Sequence, residues 1–483
     1  MKRVVLLFLS LCLLCGGLFA LSACGKEEAR NKYTITAEYD PNAGMVTAHQ
    51  VFDYVNTTQN EISVLEFNLF PNAYREGATY EPVSSVYRAS AYYDGESYGG
   101  MEIQSVAGCE RFEVGGEDKN ILYVYLTESV FPDERAQIEI DFTVTLAKIN
   151  HRTGITEKVI NLGNFYPILC VYEEGKGYYE CIYYSDGDPF YSECADYDVT
   201  ITVPVGYTVA ASGYAKGVQK DGKMKYRHTM SASRDFALAI GNDLKSEEKT
   251  VDGKTVRYVY YADTDPQGTL NTACAALTYF SDTFGEYGYD SYTLVQTGFC
   301  YGGMEYPGMV LLSDALERQD YLYTVVHETA HQWWYAMVGN NQLEYAWMDE
   351  GAAEYATILF YENHAEYGLT REKLVNDALT RYKAYYGIYE QIFGESDTRM
   401  SRPLSSFLSE YEYANVTYNK GVLLFDALRE GIGDSRFFAG FKNYFSEYRY
   451  KIALPSDMVA CFRKTGVDVD GLFDSFTAGE TVI

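Results

Sequence analysis

Val325-Val326-His327-Glu328-Thr329-Ala330-His331-Gln332-Trp333 decides how the second half of this 483-residue chain is read. Two histidines four apart lie on one face of a helix, one turn from each other, so both imidazoles can reach one metal ion. Zinc accepts such nitrogens, and a catalytic zinc takes one further protein ligand and keeps a position open for water. Glu328 stands beside the first ligand, where a general base for that water belongs. The chain holds 6 histidines, so two at this spacing are hard to credit to composition. The third ligand should come from a second helix facing the first. Trp347-Met348-Asp349-Glu350-Gly351-Ala352-Ala353-Glu354 offers Glu350, with 18 residues between it and His331. Glu354, one turn further on, is placed either to orient an imidazole through its non-ligating nitrogen or to face solvent.

Outward from this core the hydrophobic period changes once. Leu270, Ala273, Cys274, Leu277, Phe280 and Phe284 recur at three or four after Pro266, which predicts a buried helix face. Tyr292–Phe299 and Met309–Leu312 read as strands flanking a glycine corner at Gly302-Gly303. From Tyr33 to about Asn242 the period is two instead. Ile138, Ile140, Phe142, Val144 and Leu146 alternate with Glu139, Asp141, Thr143 and Thr145, and Val199, Ile201 and Val203 alternate with threonines. That is the pattern of half-buried antiparallel strands, punctuated by turn signals such as Asp94-Gly95 and Asp221-Gly222. The fold class is therefore α+β and multidomain: a β-domain over 33–245, then a mainly α domain over 246–483.

His-Glu-x-x-His, eighteen residues, then Glu, with Trp333 and Trp347 around it, resembles the aminopeptidase N family of gluzincin zinc metallopeptidases. The resemblance implies an N-terminal antiparallel β-saddle followed by a thermolysin-like catalytic domain. It also implies one zinc per chain on His327, His331 and Glu350, with Glu328 as the base. Gly302-Gly303-Met304-Glu305-Tyr306 resembles the family's Gly-x-Met-Glu-Asn strand. There the Glu grips the substrate's free amino group and the glycines let backbone pair with the peptide. Tyr306 departs from the Asn of that pattern, so a different pocket wall is expected beside Glu305. Val416-Thr417-Tyr418-Asn419-Lys420-Gly421 resembles the family's Tyr-x-Lys-Gly, which implies that the Tyr418 hydroxyl faces the oxyanion of the tetrahedral intermediate. The Gln or Glu that family members use in the N-terminal half as a second anchor for the substrate amine has no match in this sequence, and Phe165 to Glu180 is the segment in which to look for it. The chain ends at Ile483, so the large helical C-terminal domain of longer relatives is expected to be missing and the cleft less enclosed.

The N-terminus reads as an export signal: Lys2 and Arg3, an apolar run from Val4 to about Ala20, then Leu21-Ser22-Ala23-Cys24. The ending resembles a bacterial lipobox. This implies removal of 1–23, a lipid on Cys24, a tether over 24–32 and attachment to the membrane at the bacterial cell surface. No other stretch approaches the ~18 apolar residues of a membrane helix. Cys12 and Cys15 leave with the signal, and the remaining Cys109, Cys170, Cys181, Cys194, Cys274, Cys300 and Cys461 contain no Cys-x-x-Cys. Scattered thiols are expected, with pairing among Cys170, Cys181 and Cys194 the alternative. A net charge of −29, from 39 basic and 68 acidic residues, argues against a nucleic-acid partner. Peptides are the expected substrates, cleaved at a free N-terminus. The alternatives are an endopeptidase or oligopeptidase with no such need, and a non-catalytic peptide-binding lipoprotein.

Overall fold

The computed structural model describes residues 29–482. The signal peptide, Cys24 and most of the tether expected from the sequence lie outside the described residues. From Asn31 onward the backbone packs as one compact unit.

A seven-stranded sheet organises the N-terminal half, and the alternation explains its two faces. Along Arg135–Thr145, Ile138, Ile140, Phe142 and Val144 are at most 1% exposed, while Glu139 and Asp141 face solvent. Val199, Ile201 and Val203 bury the same face of Ala195–Pro204. The strand order is Val218–Lys220, Lys223–Ser233, Ala195–Pro204, Lys32–Asp40, Met45–Val55, Arg135–Thr145 and Gly100–Ala107. One pair departs from the expected antiparallel pattern: Lys32–Asp40 runs parallel to Ala195–Pro204, with Ile35 opposite Val199. These strands are far apart in sequence, and a long crossover, unlike a hairpin, permits parallel pairing. Two four-stranded sheets and a short hairpin complete this half.

The second half begins with a sheet of five strands, in the order Lys245–Val251, Lys254–Tyr260, Ser291–Thr297, Met309–Ser313 and Gly303–Met304. The sequence pattern shows the two buried strands and misses the leading hairpin. Lys245–Val251 is a largely exposed edge strand and lacks an apolar alternation to reveal it. The middle strands are parallel, and the helix Pro266–Phe284 makes the first crossover. Asp265 caps that helix by accepting from the Gly268 amide, and Pro266 occupies its first turn. Leu270, Ala273, Leu277, Phe280 and Phe284 form its buried face, while Cys274 is half-buried. Gly303–Met304 is the last strand of the sheet, paired on one side only, with Gly303 opposite Leu312. Its other edge is open to the cleft.

The remaining helices pack behind this sheet, and two glycines set their closest approach. A Cβ on Gly421 would lie 2.6 Å from the Gly351 Cα. The helices Glu350–Asn363 and Lys420–Ile432 therefore cross almost backbone on backbone. Any larger residue at either position would force them apart. Among the described residues no disulfide forms; Cys170, Cys181 and Cys461 are buried thiols, which sets aside the pairing alternative.

Candidate active site

The helix Arg318–Ala330 carries His327, and His331 caps its C-terminus in helical conformation. Their Nε2 atoms lie 3.0 Å apart. Glu350 opens the facing helix, and its Oε2 is 3.1 Å from His331 Nε2 and 3.4 Å from His327 Nε2. A tetrahedral ion with bonds near 2.1 Å has edges of about 3.4 Å, so the three donor atoms are already spaced close to one face of a zinc coordination shell. All three residues are at most 9% exposed. The donor set, two imidazoles and one carboxylate that line the cleft and leave a fourth position for water, fits one zinc ion.

Each imidazole is held from behind. His331 Nδ1 donates to the Trp334 carbonyl at 2.9 Å, which leaves Nε2 for the metal. His327 Nδ1 lies 2.9 Å from Glu354 Oε2, an ion-pair contact outside the in-line geometry of a hydrogen bond. Glu354 is itself fixed by the Tyr323 hydroxyl at 2.6 Å. Of the two roles open to Glu354 in the sequence, the structure selects the one beside the imidazole. Glu350 stays well below the usual carboxylate range because both imidazoles face it. Burial opposes protonation of His327, yet its contacts with Glu350 and Glu354 push it up to about 10.

Glu328 projects into the same cleft. Burial pushes its carboxyl up to about 7 against the opposing pull of His327 and His331. Gly303 passes directly over it, since a Cβ at 303 would collide with the Glu328 carboxylate. The glycine thus serves the base as well as the strand edge. Tyr418 lies on a single π-helical turn, Asn415–Asn419, and its hydroxyl donates to Glu350 Oε1 at 2.5 Å. Such turns recur at functional sites, and here the turn together with the Gly351 and Gly421 crossing brings the phenol to the ligand.

Glu305 lines the cleft and is 3% exposed. Burial and the nearby Asp188, Glu350 and Glu328 hold its carboxyl well above the usual range. Tyr306, the next residue, is not in the cleft wall. Its side chain is fully buried, its hydroxyl donates to Asn164 Oδ1 at 2.9 Å, and Asn164 in turn bonds Asp235. A Cβ on Gly163 would collide with the Tyr306 ring. The expectation that Tyr306 reshapes the pocket wall is therefore corrected, because this side chain ties the two halves together behind the strand.

A second correction concerns the N-terminal half. Phe165 and Tyr166 are core residues, and the Tyr179 hydroxyl donates to Glu344. The residues that reach the cleft from this half are Tyr87, Arg152, Gly187 and Asp188. Arg152 pairs with Asp188 and lies 5.5 Å from the ring centroids of both Phe190 and Tyr301. Gly187 has φ of 83°, and a side chain there would strike Tyr413 and Leu404, so only glycine lets this loop approach the helical half. Acidic residues inside the aromatic run Tyr183 to Tyr191 are the signal that marks this loop in the sequence. The cleft encloses ≈ 260 Å³.

Residues 269–476 match the model of the peptidase family M1 domain. The chain is 24% identical over 269 residues to leucine aminopeptidase 2 of Aspergillus fumigatus, covering 53% of this chain and 42% of that protein. It is 28% identical over 203 residues to aminopeptidase N of Lactococcus lactis subsp. lactis, covering 38% of this chain and 23% of that one. The chain thus spans less than half the length of these curated relatives. In fold it resembles an M1 zinc metallopeptidase from Deinococcus radiodurans, with a TM-score of 0.65 at 16% identity over 94% of each chain. A mutant of a Deinococcus radiodurans M1 zinc metallopeptidase bound to a Tyr-Ser-Ala substrate matches with a TM-score of 0.66, also at 16% identity, over 94% of this chain and 95% of that one.

Proposed function

We propose, from the premise that residues 269–476 form a peptidase family M1 domain, that the protein releases N-terminal residues from peptides by zinc-dependent hydrolysis. The observation that supports this most is the convergence of His327, His331 and Glu350 on one point beside Glu328, under an open strand edge. His327, His331 and Glu350 would hold a zinc ion, which when bound would supply the acidification of a water and the polarisation of the scissile carbonyl. Glu328 accepts the proton of that water and returns it to the leaving amine. The Tyr418 hydroxyl, already beside Glu350, donates to the oxyanion as it forms. Gly302-Gly303-Met304 pairs with the peptide backbone as an added strand. Glu305, with Asp188 across the cleft, takes the α-ammonium. Burial makes this selective, since a carboxylate left unpaired there costs a few kcal/mol.

Peptides with a free N-terminus should therefore be cut at least ~100-fold faster than their acetylated forms, at about 1.4 kcal/mol per decade. Steady-state kcat/KM on matched pairs measures this. Equal rates would replace the reading with an endopeptidase or oligopeptidase one.

The signal-like 1–23 and Cys24 support a lipid anchor at the cell surface for the mature chain. Cys24→Ser should move the protein from the membrane to the soluble fraction when cells are fractionated, and retention of the variant in the membrane would refute the anchor.

A further inference from the structure

Glu305 lines the cleft together with Asp188, Glu328 and Glu350, whose charges disfavour its own. A flexible carboxylate among like charges turns away from them unless something holds it. Among the described residues one side chain donates to it: Gln342 Nε2, 2.9 Å from Glu305 Oε1. The same nitrogen donates to Asp349 Oδ2 at 2.7 Å, and Asn340 Nδ2 holds the other oxygen of Asp349 at 3.0 Å. Both hydrogens of the Gln342 amide are thereby used. Its Oε1 is buried without a protein partner, and the amide cannot be turned over, since that would set oxygen against two carboxylates.

Gln342 is 1% exposed and opens the short helix Gln342–Tyr345, which Asn341 caps through the Leu343 amide. Its backbone is thus fixed before its side chain reaches Glu305. Asp349 directly precedes Glu350, so one amide links the strand that receives substrate to the helix that carries a metal ligand.

We propose that Gln342 is a positioning residue that fixes the Glu305 carboxylate for the substrate's α-ammonium. The proposal rests on the reading of Glu305 as the amine anchor. A neutral donor suits the task. A lysine at this position would neutralise Glu305 outright and compete with the substrate amine, whereas an amide orients the carboxylate and leaves its charge available to substrate.

The experiment compares Ala-Ala-Ala with N-acetyl-Ala-Ala-Ala on the zinc-loaded wild type, Gln342→Met, Glu305→Gln and the double variant, with zinc content measured throughout. The wild-type preference for the free peptide tests the amine-anchor reading by itself, before any Gln342 variant is considered. Gln342→Met keeps the side-chain volume and removes the donor. It should raise KM for the free peptide about tenfold, the loss of roughly one hydrogen bond to a charged group. Its kcat should stay within about twofold, with zinc content and acetylated-peptide kcat/KM unchanged. In the Glu305→Gln background the same substitution should add nothing, because its target is already gone. If Gln342→Met fails to fold, Gln342→Asn, which keeps the amide but shortens its reach, should give the same KM shift. Equal losses on both peptides, an effect that persists in the Glu305→Gln background, or no KM change in a folded variant would overturn the proposal. Equal wild-type rates on the two peptides would overturn it together with the amine-anchor reading.

Discussion

Glu328→Gln should fold, bind zinc and lose nearly all turnover, with kcat down by at least the 10²–10⁴-fold typical of general acid–base catalysis. The substitution keeps the shape that Gly303 is built to clear and removes the capacity to accept a proton. Glu328 is not among the three converging donors, so metal analysis should still find about one zinc per chain. KM should change little, since the group acts on water and leaving amine rather than on ground-state binding. Near-normal kcat in this variant would remove Glu328 from the mechanism. Loss of zinc together with activity would make it part of the coordination shell.

Removing the metal should abolish activity altogether, and stoichiometric zinc should restore it. The stability effect is equally specific. Without a cation, Glu350 has only the two imidazoles for counter-charge in a site from which water is largely excluded. Zinc at 1,000 times its Kd stabilises the folded chain by about 4 kcal/mol. Thermal unfolding should therefore move down on chelation and back up on zinc addition. His331→Ala should sit at the low value and fail to respond. Full activity in the presence of a strong chelator, with zinc shown to be absent, would end the metallopeptidase reading.

What was legible beforehand divides by physical cause. The His327, His331 and Glu350 cluster is written in local periodicity, because helix geometry turns a spacing of four into one face and the paired-helix spacing into a facing ligand. The strands of the N-terminal half show through the alternation of Ile138 to Val144. What stayed hidden depends on contacts between distant segments. Asp188 sits in a loop with no period, and only the approach permitted at Gly187 brings it to the cleft. The substituted position at Tyr306 drew attention to the pocket, but burial sends its side chain to Asn164 instead. Gln342 carries no motif at all, and its importance exists only in the 2.9 Å and 2.7 Å contacts it makes.

The three tryptophans of the chain have a spectroscopic consequence. Trp333 and Trp334 lie two and three residues after His331, Trp334 accepts the His331 imidazole proton on its carbonyl, and Trp347 lies three residues before Glu350. All three are at most 1% exposed. Light at 295 nm, absorbed by indole and scarcely by the 48 tyrosines, thus excites only chromophores attached to the two segments that grip the metal. The molecule carries its own fluorescent gauge of the site, one that distinguishes loosening around the ligands from unfolding of the β-rich half, which has no tryptophan to report on itself.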